Sequence, residues 1–316
     1  MQILNRNFNP QVSPTPNFSG HAGFEKLPFH YGMRNGVTTE TRLFRDYKSI
    51  KFALNYIDEV FKGTKNIVVG ACATGEDVFS IKMLRGKKQT KITAFDLGSD
   101  TITNAKSGII EFEVPADEKS RKYVEKLNMD AYNDKFLTGK ENLNEEEKYL
   151  KQLFEDNFEP IESKTKLIYK IKEKLQKILF TTYVEFDKKF FKMKEIDKNC
   201  EFKNGNIMDL ENTLPLDGSN HLFTFKNAMY HLITDNNHCQ SESLDPTKAT
   251  AILNKIFTDV NKALIKKGLF VMGELEHLQH NEMHLVDKSL LEHGFLPVRM
   301  PDRPYLNIWE KVKEVD

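Results

Sequence analysis

The stretch Asn66-Ile67-Val68-Val69-Gly70-Ala71-Cys72-Ala73-Thr74-Gly75-Glu76-Asp77 restricts the fold more than any other part of this chain. An apolar run with β-branched Val68 and Val69 suits a buried strand. It runs straight into a turn of small residues, where Gly70, Ala71, Ala73 and Gly75 leave room for a ligand to approach the backbone. From Glu76 a helical pattern begins, with Val78, Ile81, Met83 and Leu84 on the buried side. Strand, small-residue turn and helix is the unit with which α/β proteins bind nucleotides.

The rest of the chain repeats that rhythm. Phe44, Tyr47, Ile50, Leu54, Ile57 and Phe61 recur at helical spacing ahead of the first strand. Lys91 to Asp96 reads as a second strand ending in an acid, and Asp96 falls roughly 20 residues beyond the turn, where a Rossmann-like unit places the carboxylate that accepts from ribose hydroxyls. Capping of the following helix is the competing role for such an acid. Ile102, Ala105 and Ile109 continue that helix to Gly108 and beyond. Further strands are expected at Glu201–Lys203, His221–Lys226 and Leu269–Gly273. A helix is expected from Pro246 to Lys266, stopped by Gly268, and another from Leu285 to His293. Phe295–Arg299 and Tyr305–Val312 close the chain as an antiparallel pair. The fold class is α/β, a Rossmann-like doubly wound sheet.

One segment breaks the rhythm. From Val114 to Phe180 the chain is laden with Lys and Glu, and Leu167, Ile168, Ile171, Leu175, Ile178 and Leu179 form a helical stripe. It reads as a charged helical insertion at about 114–180, either a solvated face or an element that recognises a partner. Residues 1–35, rich in Asn, Pro, Gly and Ser, read as a flexible arm preceding one domain over 36–316.

Composition narrows the function. With 46 basic and 46 acidic residues the net charge is +0, so nucleic acid is not the expected partner. Three cysteines form no CxxC pair, which fits a reduced, cytoplasmic setting. No apolar run approaches a membrane span, and no membrane insertion is expected. His277, His280 and His284 have a spacing that one helix face could gather, but the segment leaves a strand and starts in a loop, so no metal is expected.

Six segments carry a family resemblance, in the family's order along the chain. Gly70-Ala71-Cys72-Ala73-Thr74-Gly75-Glu76-Asp77-Val78-Phe79-Ser80-Ile81-Lys82-Met83 resembles the A-A-S-T-G-E-E-P-Y-S-I-A-M signature of CheR-type methyltransferases, which esterify glutamates of chemotaxis receptors with the methyl of S-adenosylmethionine. Thr41 to Asp46 is similar to their T-x-F-F-R segment. Phe95-Asp96-Leu97 with Ala105 to Ile109 is similar to D-I-D…A-x-x-G-x-Y. Asn206-Ile207-Met208 matches N-L-L. Phe225 to His231 is similar to C-R-N-V-L-I-Y, and Gly273 to Glu276 resembles G-H-S-E.

The resemblance implies a class I methyltransferase sheet, S-adenosyl-L-methionine as cofactor and a protein substrate. Cofactor binding falls to Thr41, Arg45, Ala71, Glu76, Asp96, Asn206, Ile207, Lys226 and Asn227. In that set Glu76 lies near the amino-acid moiety, Asp96 at the ribose, Asn206 and Ile207 beside the adenine, and Asn227 near the methionine portion. Arg45, Tyr230 and His231 fall at the reaction centre. A carboxylate acceptor is already ionised at neutral pH and needs no base, so alignment does most of the chemistry. Arg45 is then suited to hold the acceptor by charge-assisted hydrogen bonds, or else pairs with Asp46 or a nearby Glu.

Three departures bear on substrate. Lys226 replaces the family's arginine and loses the planar fork. His231 stands where the family has tyrosine, and is either a base for an amine or hydroxyl acceptor or a packed histidine. The family's N-terminal helical domain is not recognisable. A same-fold enzyme with another acceptor, and an inactive cofactor-binding module, are the alternatives. Glu76 decides between ligands: a carboxylate at the helix entrance repels a pyrophosphate and accepts from an ammonium, as in S-adenosylmethionine.

Overall fold

The structure is a computed structural model that describes residues 33–34, 37–38, 43–126, 143–162, 166–175, 178–196, 198–226, 228–235, 242–243, 245–273, 283–300 and 307–315. All but Met33 and Arg34 of the expected arm therefore lies outside the described residues. Contacts divide the chain into two units, a larger one from Arg34 to Lys106 and Asp197 to Asp316, and a smaller one from Ser107 to Ile196.

The larger unit begins with helix α1, Tyr47–Val60, which buries Tyr47, Ile50, Leu54 and Ile57 as their spacing requires. Strand β1 is Lys65–Gly70, with Ile67, Val68 and Val69 fully buried. Helix α2 is Glu76–Arg85, β2 is Thr90–Asp96 and α3 is Ser99–Ser107. The smaller unit follows with β3 Ile109–Pro115, α4 Glu118–Lys126, α5 Glu145–Asn157, β4 Phe158–Ile161, β5 Lys166–Leu175 and β6 Ile178–Met193. The larger unit resumes with β7 Cys200–Asn204, a 3-10 turn at Ile207–Asn212, β8 Asn220–Phe225 and the single turn α6 Tyr230–Ile233. It ends with α7 Pro246–Ala263, β9 Leu264–Met272, α8 Met283–Glu292, β10 Phe295–Pro297 and β11 Ile308–Lys311.

Seven strands form one sheet in the order β7-β2-β1-β8-β9-β11-β10. The first five are parallel; β11 runs antiparallel to both β9 and β10. Counted within this sheet alone the order is 3-2-1-4-5-7-6 with the seventh strand reversed. This is the Rossmann-like, doubly wound sheet of the class I methyltransferase fold. The order reverses between β1 and β8, the switch point outside which ligands bind at the carboxyl ends of the strands. Gly70, Phe95 and Phe225 are in register there, as are Asp96 and Asn204 on the neighbouring pair. Phe270 packs its ring 5.9 Å from Phe223, 5.7 Å from Phe257 and 6.3 Å from Phe295, centring the core. No helix among the described residues is long and apolar enough to cross a membrane.

In the smaller unit β3, β4 and β5 all pair antiparallel with β6. Its own core holds Phe112, Phe154, Phe158 and Phe191, with ring centroids 5.0–5.9 Å apart. The helical reading of the insertion is corrected here. α4 and α5 are helices, but the stripe from Leu167 to Leu179 lies in a β-hairpin, with Leu175 opposite Ile178. The sequence carries the reason: Leu167, Tyr169, Ile171 and Leu175 alternate with Lys166, Lys170, Lys172 and Lys174, a period of two. Two smaller corrections follow. α3 stops at Ser107, Gly108 turns the chain at φ +67°, and Ile109 opens β3. α7 ends at Ala263, so Gly268 lies within β9 and stops nothing.

Candidate active site

The turn after β1 is built from left-handed backbone. Ala71 (φ 51°), Ala73 (φ 46°) and Gly75 (φ 98°) all have positive φ, which for each alanine costs ~1–2 kcal/mol. Such strain persists where the surroundings fix it. Cys72 N–H donates to Phe95 O at 3.1 Å, Gly75 N–H to Cys72 O at 2.9 Å, and Ala73 N–H to Asp96 Oδ2 at 2.8 Å. Asp96 Oδ1 accepts from Gly98 N–H at 2.9 Å and from the Thr101 hydroxyl at 3.3 Å. Asp96 thus stands at the end of β2 as expected, buried, and braces the turns that follow β1 and β2. Gly70 has another reason to be small: a Cβ there would lie 2.8 Å from the Phe95 ring and 2.9 Å from that of Phe225. It seats aromatic side chains, which corrects the expectation that it makes room for a ligand.

Glu76 begins α2, partly buried, and both its oxygens lie 2.8 Å from the Thr74 hydroxyl. Burial pushes its pKa up to about 7, against the opposing bond from Thr74. Among the described residues no cation lies within ion-pair distance of it.

Its chain neighbour Asp77 is at the centre of a buried charge cluster. Arg45 Nη2 donates to Asp77 Oδ2 at 2.9 Å, and Lys226 Nζ, just past the end of β8, lies 2.9 Å from Asp77 Oδ1. The Lys226 ammonium also donates to Arg45 O at 2.9 Å and stands 3.9 Å from Asp46 Oδ2. The side chains of Arg45, Asp46, Asp77 and Lys226 are 2–7% exposed. The two cations hold the Asp77 carboxyl below its usual range although burial pushes the other way. Arg45 and Lys226, both expected to bind the cofactor or the acceptor, meet an internal anion here. Asp46 Oδ2 has no hydrogen-bond donor among the described residues.

Asn206 caps the 3-10 turn, its Oδ1 accepting from Met208 N–H at 2.9 Å. Ile207 is 4% exposed and part of the core cluster, so its side chain is not presented to solvent. Leu97, directly after Asp96, is 56% exposed and offers the apolar surface that Ile207 does not. Ala71 is partly buried in the turn itself. Tyr230 and His231 open α6, which starts four residues past Lys226. Thr41 and Asn227 lie outside the described residues, as do His277 and His280, while His284 is exposed on α8. Among the described residues no group of three potential metal ligands occurs. Burial pushes the Cys72 thiol well above its usual pKa, so it is no nucleophile.

Two side chains beside these residues have no role in the sequence reading, Asp77 and Leu97. The first carried a signal, an acid following Glu76 on the same helix turn. The second carried none, because exposure of one leucine is not written in a local pattern.

These residues suit a cationic ligand better than a phosphate. A phosphate site presents free N–H groups at a helix N-terminus, whereas α2 has Glu76 and Asp77 in its first turn. A desolvated Glu76 suits an ammonium such as that of S-adenosylmethionine.

No protein-family model and no curated protein matches the sequence. Solved structures similar to the chain include CurJ carbon methyltransferase, 10% identical over 81% of this chain with a TM-score of 0.38. This chain spans 51% of the CurJ structure's length. A SAM-dependent methyltransferase from Methanosarcina mazei is 13% identical, covering 82% of this chain and 77% of its own, with a TM-score of 0.30. A TehB-like SAM-dependent methyltransferase from Corynebacterium glutamicum is 9% identical, covering 84% and 91%, with a TM-score of 0.33. Likeness at that level says nothing about substrate; the fold rests on the order and direction of the seven strands.

Proposed function

We propose that this chain is an S-adenosylmethionine-dependent methyltransferase, and that its acceptor is a side-chain carboxylate of a protein, as in the CheR type. The observation that carries the reading is Glu76, a desolvated carboxylate with no ion pair among the described residues, at the carboxyl end of a class I methyltransferase sheet. The cofactor, when bound, supplies a methyl group on a sulfonium for in-line displacement. Glu76 would hold its ammonium and Asp96, which ties together the turns after β1 and β2, would bind its ribose. Leu97 offers apolar surface beside Asp96, and Tyr230 and His231, at the start of α6, are assigned to the acceptor. A carboxylate acceptor arrives ionised, so the chain's task is alignment.

A second reading, transfer to an amine or hydroxyl, is favoured by one observation. Asp77 already matches Arg45 and Lys226, the cations otherwise suited to an acceptor carboxylate. His231 is then the candidate base.

Calorimetry with S-adenosylmethionine and S-adenosylhomocysteine tests the cofactor; absence of binding to both sinks the proposal. Incubation of the protein with labelled S-adenosylmethionine and cell lysate, then mild base, separates the acceptors. Esters release labelled methanol, and methylated amines or ethers retain the label.

A further inference from the structure

We propose that Asp77 is a positioning residue, which locks the segment Leu43–Asp46 across the first turn of α2 and so fixes Glu76 for cofactor binding. The proposal rests on the methyltransferase reading above and adds to it a residue that touches no substrate.

Leu43–Asp46 crosses the start of α2 as a strap, with Leu43 and Phe44 buried. It is held in an unfavourable shape, Phe44 and Asp46 both having φ 55° without being glycine. A non-glycine residue stays in that region only where its neighbours determine it. Here they do, and the bonds converge. Phe44 N–H donates to Ser80 Oγ at 2.7 Å, and the Ser80 hydroxyl donates to Glu76 O at 2.6 Å. Arg45 reaches Asp77 with its side chain and Lys226 with its carbonyl. Two of these anchors, Asp77 and Ser80, are on the turn Glu76–Ser80, the turn that presents Glu76. Lys226 closes the ring, bonded to strap and Asp77 alike at the end of β8.

The chemistry of the cluster argues against a role in stability alone. Arg45, Lys226, Asp46 and Asp77 sum to no net charge in a nearly dry site. Buried ion clusters of this kind are generally no more stabilising than apolar side chains of the same volume. What they supply is one permitted arrangement. Asp77 has two oxygens and serves two cations, one from the strap and one from the sheet. No other described carboxylate touches both, since Asp46 approaches Lys226 only at 3.9 Å.

The test compares Asp77→Asn with Asp77→Glu in the full chain. S-adenosylhomocysteine affinity is measured calorimetrically at a temperature where circular dichroism shows each variant folded, and hydrogen exchange is followed at Leu43–Asp46. Asp77→Asn is expected to weaken binding at least tenfold and to raise exchange in the strap. Asp77→Glu, which keeps the charge, is expected to recover most of the affinity. If Asp77→Asn does not fold, Ser80→Ala removes a strap anchor without stranding a buried charge. It is expected to weaken binding severalfold with the same exchange signature. A folded Asp77→Asn, or failing that a Ser80→Ala, that binds like the wild type overturns the proposal alone. A wild-type chain that binds no adenosyl compound overturns it together with the functional reading.

Discussion

The two units of the chain handle charge in opposite ways. In the seven-stranded unit, charges that matter are buried and shared: Asp77 between Arg45 and Lys226, and Lys311 donating to the carbonyls of Asn261 and Leu264. In the 107–196 unit most lie along helix surfaces as pairs three or four residues apart, such as Lys148 with Glu145 and Lys151 with Glu155, and one pair, Lys188 with Glu111, is half-buried between strands. Exposed pairs of that kind are each worth ~0–1 kcal/mol. Breaking a buried pair by removing one partner costs ~3–5 kcal/mol. The difference follows from strand burial. β1 is apolar for most of its length and buried, as a central parallel strand must be. β4 exposes three of its four residues. Dry strand ends hold charges in fixed positions more tightly than wet faces do.

The comparison breaks hardest in the cores. Phe270→Ala removes the ring that Phe223, Phe257 and Phe295 all meet and is expected to cost ~3–5 kcal/mol. Phe154→Ala empties the centre of the smaller core, where Phe112, Phe158 and Phe191 meet. Its loss is expected to appear as faster amide exchange in β3 and β6, with β1 and β2 unchanged. Exchange mass spectrometry on both variants decides; a Phe154→Ala protein that loosens β1 as much as β3 ends the two-unit description.

The same contrast governs what can be read from the sequence. β1, α2 and β2 were legible because buried β-branched runs, a small-residue turn and an acid at a fixed interval all fall within one stretch. The hairpin β5–β6 was not. Picking Ile168 together with Leu167, Ile171 and Leu175 yields a helical stripe, while the odd positions Leu167, Tyr169, Ile171 and Leu175 yield an alternation that only Glu173 and Ile168 break. A run of lysines between apolar residues serves either period, and only pairing with β6 selects one. At the site, the places of Glu76 and Asp96 were legible because each sits at the end of a regular element. The partnership of Asp77 with Lys226 was not, because it joins residues 149 apart (226 − 77) through the sheet order. The burial of the Ile207 side chain was not legible either, since its position in the motif says nothing of which way the side chain points.

A smaller effect sharpens the role of Glu76. Its pKa in the fold is raised from 4.5 to about 7, so the protonated form is the one the fold favours. Its contribution to stability is full below pH 4.5 and is lost as pH rises toward 7. Glu76→Gln is expected to flatten that part of the stability–pH curve of the ligand-free protein. Cofactor binding runs the other way. An ammonium needs the ionised carboxylate, so affinity is expected to rise about tenfold between pH 6 and pH 8, and Glu76→Gln to abolish the rise. Titration calorimetry across that interval checks it, and a wild-type affinity that does not change with pH removes Glu76 from the ligand.

The smallest expected effect lies in how the two units begin their helices. α5 starts with a full capping box: Asn144 Oδ1 accepts from Glu147 N–H at 2.9 Å, and Glu147 Oε2 accepts from Asn144 N–H at 2.8 Å. Asn144→Ala is expected to cost ~1 kcal/mol and to be felt mainly as exchange in the first turn of α5. α2 has no such cap. Gly75 occupies its N-cap at φ 98°, and a Cβ there would stand 2.9 Å from the Phe79 ring. Installing a capping side chain by Gly75→Asn is therefore expected to destabilise α2 rather than complete it, the opposite sign to the same residue at position 144. Thermal melts of the two variants read both signs. If Gly75→Asn raises the melting temperature, the uncapped start of α2 is an ordinary deficiency; if it lowers it, that start is the shape the turn must keep to leave Glu76 at the opening.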